Sequence, residues 1–280
     1  MAEFPIGDVV DAHVHLMPER LMAAIREALS DAAGWEFNHP TDRDEMEAAL
    51  TTAGVEQYTA LPYVARSGAA ADLNEWVIEA TADSDHAVPF ATVHAADDVE
   101  AVVTDAFDAG ACGLKLQLPV QGFGADDPRL GPAYEVVAAR DAPVVLHAGT
   151  APMFTDSPHV GVERFESFLA SYPDIRVCVA HMGTYEIEAF LNLARDNDNV
   201  FLDTTFAMSS VAKTYMDFDP TTVSDDTLAE LSTSIMYGSD YPNIPYPYAR
   251  EREHLLSRDL SVEVQRDIFS RTAQRFLGND

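Results

Sequence analysis

Several features that would place this chain in a familiar class are missing. No stretch approaches the length of a membrane span, which needs about eighteen consecutive apolar residues. The N-terminus, "MAEFPIGDVV", lacks the basic region and apolar stretch of a secretory signal. The two cysteines, Cys112 and Cys178, lie in apolar strand-like runs and form no metal-type CxxC. We therefore expect reduced core thiols in a cytoplasmic protein.

Positive charge is also scarce. The chain has 17 basic against 47 acidic residues, a net charge of −30, and only Lys115 and Lys213 are lysines. Because phosphate and anionic lipid headgroups are bound by basic surfaces, we expect neither nucleic acid nor a membrane as a partner. A strongly acidic surface repels itself unless salt screens it, so the composition favours a salt-adapted, halophilic protein.

Nucleotide-binding motifs and domain linkers are absent as well. No GxGxxG or GxxxxGK[ST] stretch follows a strand-like run, and no low-complexity segment, short repeat or Gly/Ser/Pro linker divides the chain. With 47% apolar residues, the chain can bury a large core. We predict one domain over residues 1–280 that acts on a small molecule, and the sequence leaves a homodimer open.

Short β-type runs alternate with amphipathic helical runs along the whole chain. The predicted strands are Val9–His13, Val55–Leu61, Val88–His94, Cys112–Leu118, Pro143–His147, Ile175–Ala180, Val200–Thr204 and Ser234–Gly238. The predicted helices are Glu19–Ser30, Leu73–Ala82, Val99–Ala109, Arg129–Ala139, Val162–Ser171 and Glu186–Ala194. This alternation predicts an α/β fold, a (β/α)₈ TIM barrel rather than an open doubly wound sheet. The longer segments Leu16–Gly54 and Thr205–Thr233 are predicted to cover the barrel mouth.

Polar side chains recur where the predicted strands end, which is where barrel enzymes carry their chemistry. In chain order these residues are His13, His15, Lys115, His147, His181 and Asp240. Each alone has an ordinary explanation, such as a satisfied core histidine or, for Asp240, a helix cap. Together they predict a site for zinc or a similar divalent ion. Strand alternation also predicts that Asp11, His13 and His15 share one face.

The order of the motifs "DAHVH", "GLKLQ", "VVLHAGT", "VCVAHMG" and "IMYGSDYP" resembles the amidohydrolase superfamily. More narrowly, it is similar to the amidohydrolase-related branch that includes aminocarboxymuconate-semialdehyde decarboxylase and resorcylate decarboxylase. The resemblance implies a distorted (β/α)₈ barrel with a divalent metal at its mouth, zinc in the first instance and manganese as the alternative.

Carried over position by position, the resemblance makes His13, His15, His147 and Asp240 the protein contacts of the metal. His181 then matches the histidine that positions or deprotonates the activated water, and Asp240 also takes and returns a proton. Asp11 matches the strand residue before the ligands, which we interpret as support for an imidazole. Gln117 stands where many relatives carry histidine, so its role is open.

Lys115 lies in an apolar strand, in phase with Gly113 and Gln117, where an unpartnered ammonium group would be costly. Two roles fit. A carbamylated lysine at this strand bridges two metals in many binuclear amidohydrolases, with His181 completing the second site. Alternatively, the amine stays free beside a single metal and orients a substrate carboxylate or a developing anion. The mononuclear relatives favour the second role, and a second metal stays open.

Fewer signals indicate the substrate contacts. Arg66, just after the second strand, is the best-placed cation for a carboxylate, although it also suits a surface ion pair. His94 ends the third predicted strand and either faces the substrate or lies in a loop without a role. Four residues in loops near the mouth are candidates for an apolar pocket: Phe123, Met153, Phe154 and Tyr241.

Two reactions fit these residues, and the metal ligands do not separate them. The first is hydrolysis, in which metal-activated water attacks a carbonyl or lactone-type carbon of a small substrate. The alternative is non-oxidative decarboxylation of a small aromatic or unsaturated acid. A barrel that has lost catalysis and only binds a ligand is disfavoured, because a scaffold needs none of the ligand-type residues.

Overall fold

The computed structural model describes residues 7–279, so the first six residues and Asp280 of the predicted domain lie outside it. Eight parallel strands follow one another around a single sheet in chain order. The strands are β1 Val9–Val14, β2 Val55–Ala60, β3 Ala87–Ala91, β4 Gly113–Leu116, β5 Val144–Leu146, β6 Val177–Val179, β7 Val200–Asp203 and β8 Ile235–Met236. Backbone bonds from Ala12 N to Tyr237 O (2.9 Å) and from His15 N to Tyr241 O (2.7 Å) bring the last strand against the first. The predicted single-domain (β/α)₈ barrel is confirmed.

Helices separate the strands and cover the outside of the barrel. They are α1 Glu19–Ala33, α2 Arg43–Thr52, α3 Ala70–Thr81, α4 Val99–Ala109, α5 Leu118–Gln121, α6 Gly131–Ala139, α7 Val162–Ser171, α8 Ile187–Asp196, α9 Ala212–Tyr215, α10 Asp225–Glu230, α11 Ala249–Leu256, α12 Val262–Arg266 and α13 Thr272–Leu277. Local sequence signals set their ends. Asp42 and Asp98 accept backbone N–H groups at the starts of α2 and α4, and Gly110 ends α4 in the left-handed conformation.

Among the described residues, no helix is both long and apolar enough to cross a membrane.

The barrel interior is packed by side chains from alternate strand positions. One buried cluster joins Val10 and Ala12 of β1 to Val145, Cys178 and Phe201 of the later strands. A position two residues further along such a strand faces the same way, towards the mouth. His147 follows Val145 in this phase, as Asp203 follows Phe201, so the pattern that fills the barrel also directs the polar groups inward.

Two sequence-based expectations about individual residues are wrong. Cys178 is buried as predicted, but Cys112 is exposed, because it precedes β4 in the turn after α4. Asp11 does not share a face with His13 and His15: it lies between the inward-facing Val10 and Ala12, and the pairing of β1 with β2 shifts register between Asp11 and Val14. This irregularity turns the two histidines inward and leaves Asp11 on the other side.

The predicted strands also run too far at several C-terminal ends. The third ends at Ala91 rather than His94, and the fourth ends at Leu116, with Leu118 beginning a short helix. Both cover segments contribute to the mouth, because Trp35 of the first stacks on Phe206 of the second with ring centroids 5.4 Å apart.

Candidate metal centre

Three of the predicted ligands converge at the mouth of the barrel. Potential ligand atoms of His13, His15 and Asp240 all lie within 4.8 Å of one another. Asp240 Oδ1 is 3.3 Å from His13 Nε2 and 2.9 Å from His15 Nε2. Asp240 reaches them because its backbone takes the left-handed conformation (φ 60°), held by a hydrogen bond from its N–H to His13 O.

The hydrogen-bond partners of the two Nδ1 atoms indicate which nitrogen of each imidazole faces Asp240. His13 Nδ1 lies 2.8 Å from Asp203 Oδ2, and His15 Nδ1 lies 2.9 Å from the carbonyl oxygen of Leu61. Both partners only accept hydrogen bonds when Asp203 is ionised, so each Nδ1 carries a proton and each Nε2 is the nitrogen that faces Asp240. Two imidazole nitrogens that converge on a carboxylate oxygen at these distances form a set of donors that could hold a metal ion.

At neutral pH His13 carries no second proton with which its Nε2 could bond to Asp240. Burial lowers the pKa of His13 to about 4, with the nearby Lys115 adding to the effect. Although burial alone would raise the pKa of Asp240, the charge of His15 and its hydrogen bond hold it below its usual value. Neutral imidazoles and an ionised carboxylate are the forms that bind a divalent metal, so these residues fit the predicted ion.

Asp203, at the end of β7, was missed by the sequence analysis. Its buried carboxylate contacts His13 Nδ1 through Oδ2, and its Oδ1 accepts from the backbone N–H of His181 at 2.9 Å. Burial by itself would raise the pKa of Asp203, but the charge of His13 and the hydrogen bonds hold it below its usual value. The strand-end pattern that identified the histidines also contains this residue, in "VFLDTTF". It is the carboxylate that supports an imidazole.

His147 and His181 form a second pair beside the three ligands. His147 Nδ1 lies 3.2 Å from His181 Nε2 and 3.1 Å from Gln117 Nε2, which gives Gln117 a contact in the site. Burial lowers the pKa of both histidines. The two loops meet closely at glycines, because a Cβ on Gly149 would lie 2.4 Å from Gly183 Cα. His147 therefore stands next to His181 rather than inside the compact group of His13, His15 and Asp240.

Lys115 is fully buried on β4, as predicted, with its Nζ 3.5 Å from His13 Nε2. Burial lowers the pKa of Lys115 to about 8, while the charges of Asp203 and Asp240 oppose the shift. Its amine therefore lies beside the candidate metal ligands.

Asp11 differs from its predicted role. Its carboxyl group accepts hydrogen bonds from the Ser239 hydroxyl (2.6 Å), the Tyr248 hydroxyl (2.8 Å) and the backbone N–H of His13 (3.2 Å). Burial raises the pKa of Asp11 to about 7. Asp11 thus ties β1 to the segment after β8, whereas Asp203 supports the His13 ring.

A pocket opens above these residues, with about 620 Å³ of atom-free space that includes open solvent. His15, His147, His181 and Asp240 form its polar end. The rest of its lining is mostly apolar and comes from the cover segments and mouth loops: Leu29, Trp35, Tyr63, Val120, Ala151, Pro152, Met153, Phe154, Phe206 and Met216, with Gln117 and Asn243 as polar members. A polar end beside a mostly apolar lining suits a small organic substrate.

Not every predicted substrate contact reaches this pocket. Met153 and Phe154 line it, whereas Phe123 and Tyr241 are buried outside its lining. His94 lies in the loop beyond β3, where its ring packs edge-on against Phe123 at 5.4 Å. Arg66 is exposed in the loop after β2 and is absent from the pocket lining. The structure therefore does not bring Arg66 or His94 to the candidate metal centre.

The sequence matches one known protein family along nearly its whole length. A family model described as amidohydrolase matches residues 10–278, nearly the full chain. No curated protein matches this sequence.

Solved structures show the same fold. An uncharacterized TIM-barrel protein from Bordetella bronchiseptica is 19% identical, with a TM-score of 0.76 and coverage of 97% of this chain and 99% of that one. A manganese-bound 5-carboxyvanillate decarboxylase from Novosphingobium aromaticivorans is 14% identical, with a TM-score of 0.65 and 97% of each chain covered. A protein from Pseudomonas putida, proposed to be a 2-pyrone-4,6-dicarboxylic acid hydrolase, is 15% identical, with a TM-score of 0.68 and 98% of each chain covered.

Proposed function

Because the chain belongs to the amidohydrolase family, we propose that it is a metal-dependent hydrolase that acts on a carbonyl or lactone-type carbon of a small substrate. The observation that carries the proposal is the convergence of His13 Nε2 and His15 Nε2 on the Asp240 carboxylate, a set of donors that could hold a metal ion. A binding scaffold has no need for this arrangement.

His13, His15 and Asp240 hold the metal in this proposal, and His147 is the fourth predicted ligand, beside His181. A divalent metal there polarises a carbonyl group and lowers the pKa of bound water towards ~7. Zinc suits the imidazole and carboxylate donors, and manganese is the alternative, since the decarboxylase of similar fold was solved with manganese.

The remaining residues move protons and stabilise charge. His181 is neutral at pH 7 because burial lowers its pKa, and its Nε2, which faces His147 Nδ1 at 3.2 Å, is the nitrogen that accepts the proton of the attacking water in this proposal. Its Nδ1 faces the carbonyl oxygen of Thr205 at 3.3 Å, which keeps the Nδ1–H tautomer. The same proton would then pass from His181 through Asp240 to the leaving group, so that both residues end in their starting forms, and the Lys115 amine would stabilise the developing anion.

The test is reconstitution of the metal-free protein. The chain, stripped with a chelator and reloaded with zinc or manganese, is assayed against amides, lactones and aromatic carboxylates, with His15→Ala as the matched protein that lacks one ligand. We expect metal-dependent hydrolysis or ring opening in the wild type and its loss in His15→Ala. Equal activity with and without metal would refute the proposal.

Decarboxylation is the second candidate reaction, and the aromatic lining of the pocket favours it. Trp35, Tyr63, Phe154 and Phe206 suit a planar acid. The same assay separates the reactions, because release of CO₂ from an aromatic acid without uptake of water selects the decarboxylase.

We propose one metal per chain. The alternative with two metals places the second between His147 and His181, whose facing nitrogens are 3.2 Å apart, with a carbamylated Lys115 as the bridge. Metal titration with bicarbonate present, followed by intact mass measurement under non-denaturing conditions, distinguishes them. Two metals and the added mass of one CO₂ would contradict the single-metal proposal.

A further inference from the structure

Aromatic rings surround the polar end of the pocket. Three imidazoles of the site each meet one ring edge-on: His15 with Tyr63 at 5.2 Å, His147 with Phe154 at 5.3 Å, and His181 with Phe206 at 6.0 Å between centroids. Trp35 stacks on Phe206, with an interplanar angle of 21°. Trp35, Tyr63, Phe154 and Phe206 all belong to the pocket lining.

The pocket offers no positive side chain to a substrate beyond its reacting end. Within residues 7–279, the residues that line it include neither arginine nor lysine, and its carboxylate, Asp240, is a predicted metal ligand. Arg66 is exposed elsewhere, and the guanidinium of Arg26 is held by the carbonyl oxygens of His39 and Pro242, each at 2.8 Å. The buried Lys115 lies against His13, beside the candidate metal ligands, outside this lining.

This distribution of charge discriminates between substrates. One anionic or polarised group finds compensation at the metal and Lys115. A second carboxylate on the same ring would find no cation in this lining. Apart from aromatic and aliphatic side chains it would meet only the uncharged amides of Gln117 and Asn243, which do not neutralise it, so its transfer from water is disfavoured. The net charge of −30 adds general repulsion of dianions.

We propose that the substrate carries its single reacting carbonyl or carboxyl group on an uncharged, planar apolar body, and that the pocket rejects compounds with a second anionic group. This proposal rests on the proposed function only for the placement of the metal. It separates this chain from the two compared proteins whose names contain carboxyvanillate and pyrone-dicarboxylic acid.

Binding of two probes to the metal-loaded protein tests it. Benzoate and isophthalate share one ring and differ by one carboxylate. Trp35 fluorescence reports their binding in a Trp76→Phe background, since the chain has 2 tryptophans. We expect benzoate to bind at least tenfold more tightly than isophthalate. Equal or tighter binding of isophthalate, or no binding of either probe, would overturn the proposal.

Charge-adding variants sharpen the test. Leu29→Arg on α1 and Val120→Arg on α5 each place a guanidinium at a partly exposed position in the pocket lining. Two positions are used so that the test survives if one of the variants does not fold. Val262→Arg adds the same charge at a half-exposed position on α12 and serves as the control. Either pocket variant should cut the preference for benzoate at least fivefold, and the control should leave it unchanged. An equal change in all three variants would overturn the proposal.

Because turnover is not measured, the outcome is independent of the reaction. A protein that shows this preference but has equal activity with and without metal refutes the proposed function and leaves the charge selectivity standing.

Discussion

Two buried carboxylates flank His13 and contribute in different ways. Asp203 meets the His13 ring and the backbone N–H of His181, and these partners keep it ionised. Asp11 meets two hydroxyl groups and a backbone N–H, and burial raises its pKa to about 7. Equal burial thus produces opposite pKa shifts, because the partners differ. Asp203 sets the chemistry of the site, whereas Asp11 joins two parts of the framework.

The largest effect should follow removal of the ring that Asp203 supports. His13→Ala deletes one of three converging ligands, so metal affinity should fall by at least about a hundredfold and activity should be lost. Elemental analysis of the purified variant measures this. His94→Ala, which removes an imidazole outside the pocket, is the control and should keep its metal. Full metal content in His13→Ala would refute the ligand assignment.

His181 is the second group that Asp203 holds, through the backbone. His181→Asn should retain the metal and lose about 10²–10⁴-fold in kcat, the usual contribution of a general acid or base. Parallel metal analysis and steady-state kinetics separate the two effects. A variant that is purified without metal would show that His181 is a ligand.

Asp203→Asn tests the contact between the Asp203 carboxylate and His13 Nδ1. An asparagine amide that donates to His13 Nδ1 moves the ring proton to Nε2, where it blocks metal binding, so affinity should fall about 10- to 100-fold. Chelator competition gives the affinity, and ¹⁵N chemical shifts of the His13 ring in the metal-free protein report the tautomer. Unchanged shifts together with unchanged affinity would remove Asp203 from this role.

Asp11→Asn should have the smallest effect on the metal and a distinct effect on stability. The folded pKa of about 7 lies above the ordinary aspartate value of 3.8, so the folded state binds more protons between these values. The contribution of Asp11 to stability is therefore present at low pH and is lost as pH rises through about 7. Asn does not titrate, so the deficit of the variant should shrink between pH 5 and pH 8, by roughly 3 kcal/mol at most. A deficit that grows with pH in chemical denaturation would contradict this assignment.

The sequence predicted the barrel and the ligand-type residues for a physical reason. Strands of a parallel barrel are short apolar runs, and their C-terminal ends meet at one mouth, so His147 and Asp240 could be placed without coordinates. The register shift after Asp11 could not be read, because a bulge leaves no change in residue type. Arg66 was misplaced for a related reason: loop direction after β2 depends on packing, and the side chain ends exposed. Salt adaptation, the cytoplasmic location and a homodimer stay predictions.

Anomalous X-ray scattering from a crystal of the metal-loaded protein, recorded at the absorption edge of zinc or manganese, tests the central claim most directly. The account predicts a peak roughly 2.0–2.3 Å from His13 Nε2, His15 Nε2 and a carboxylate oxygen of Asp240. A peak that lies only between His147 and His181, or the absence of any peak at the barrel mouth in a crystal shown to contain the metal, would contradict it.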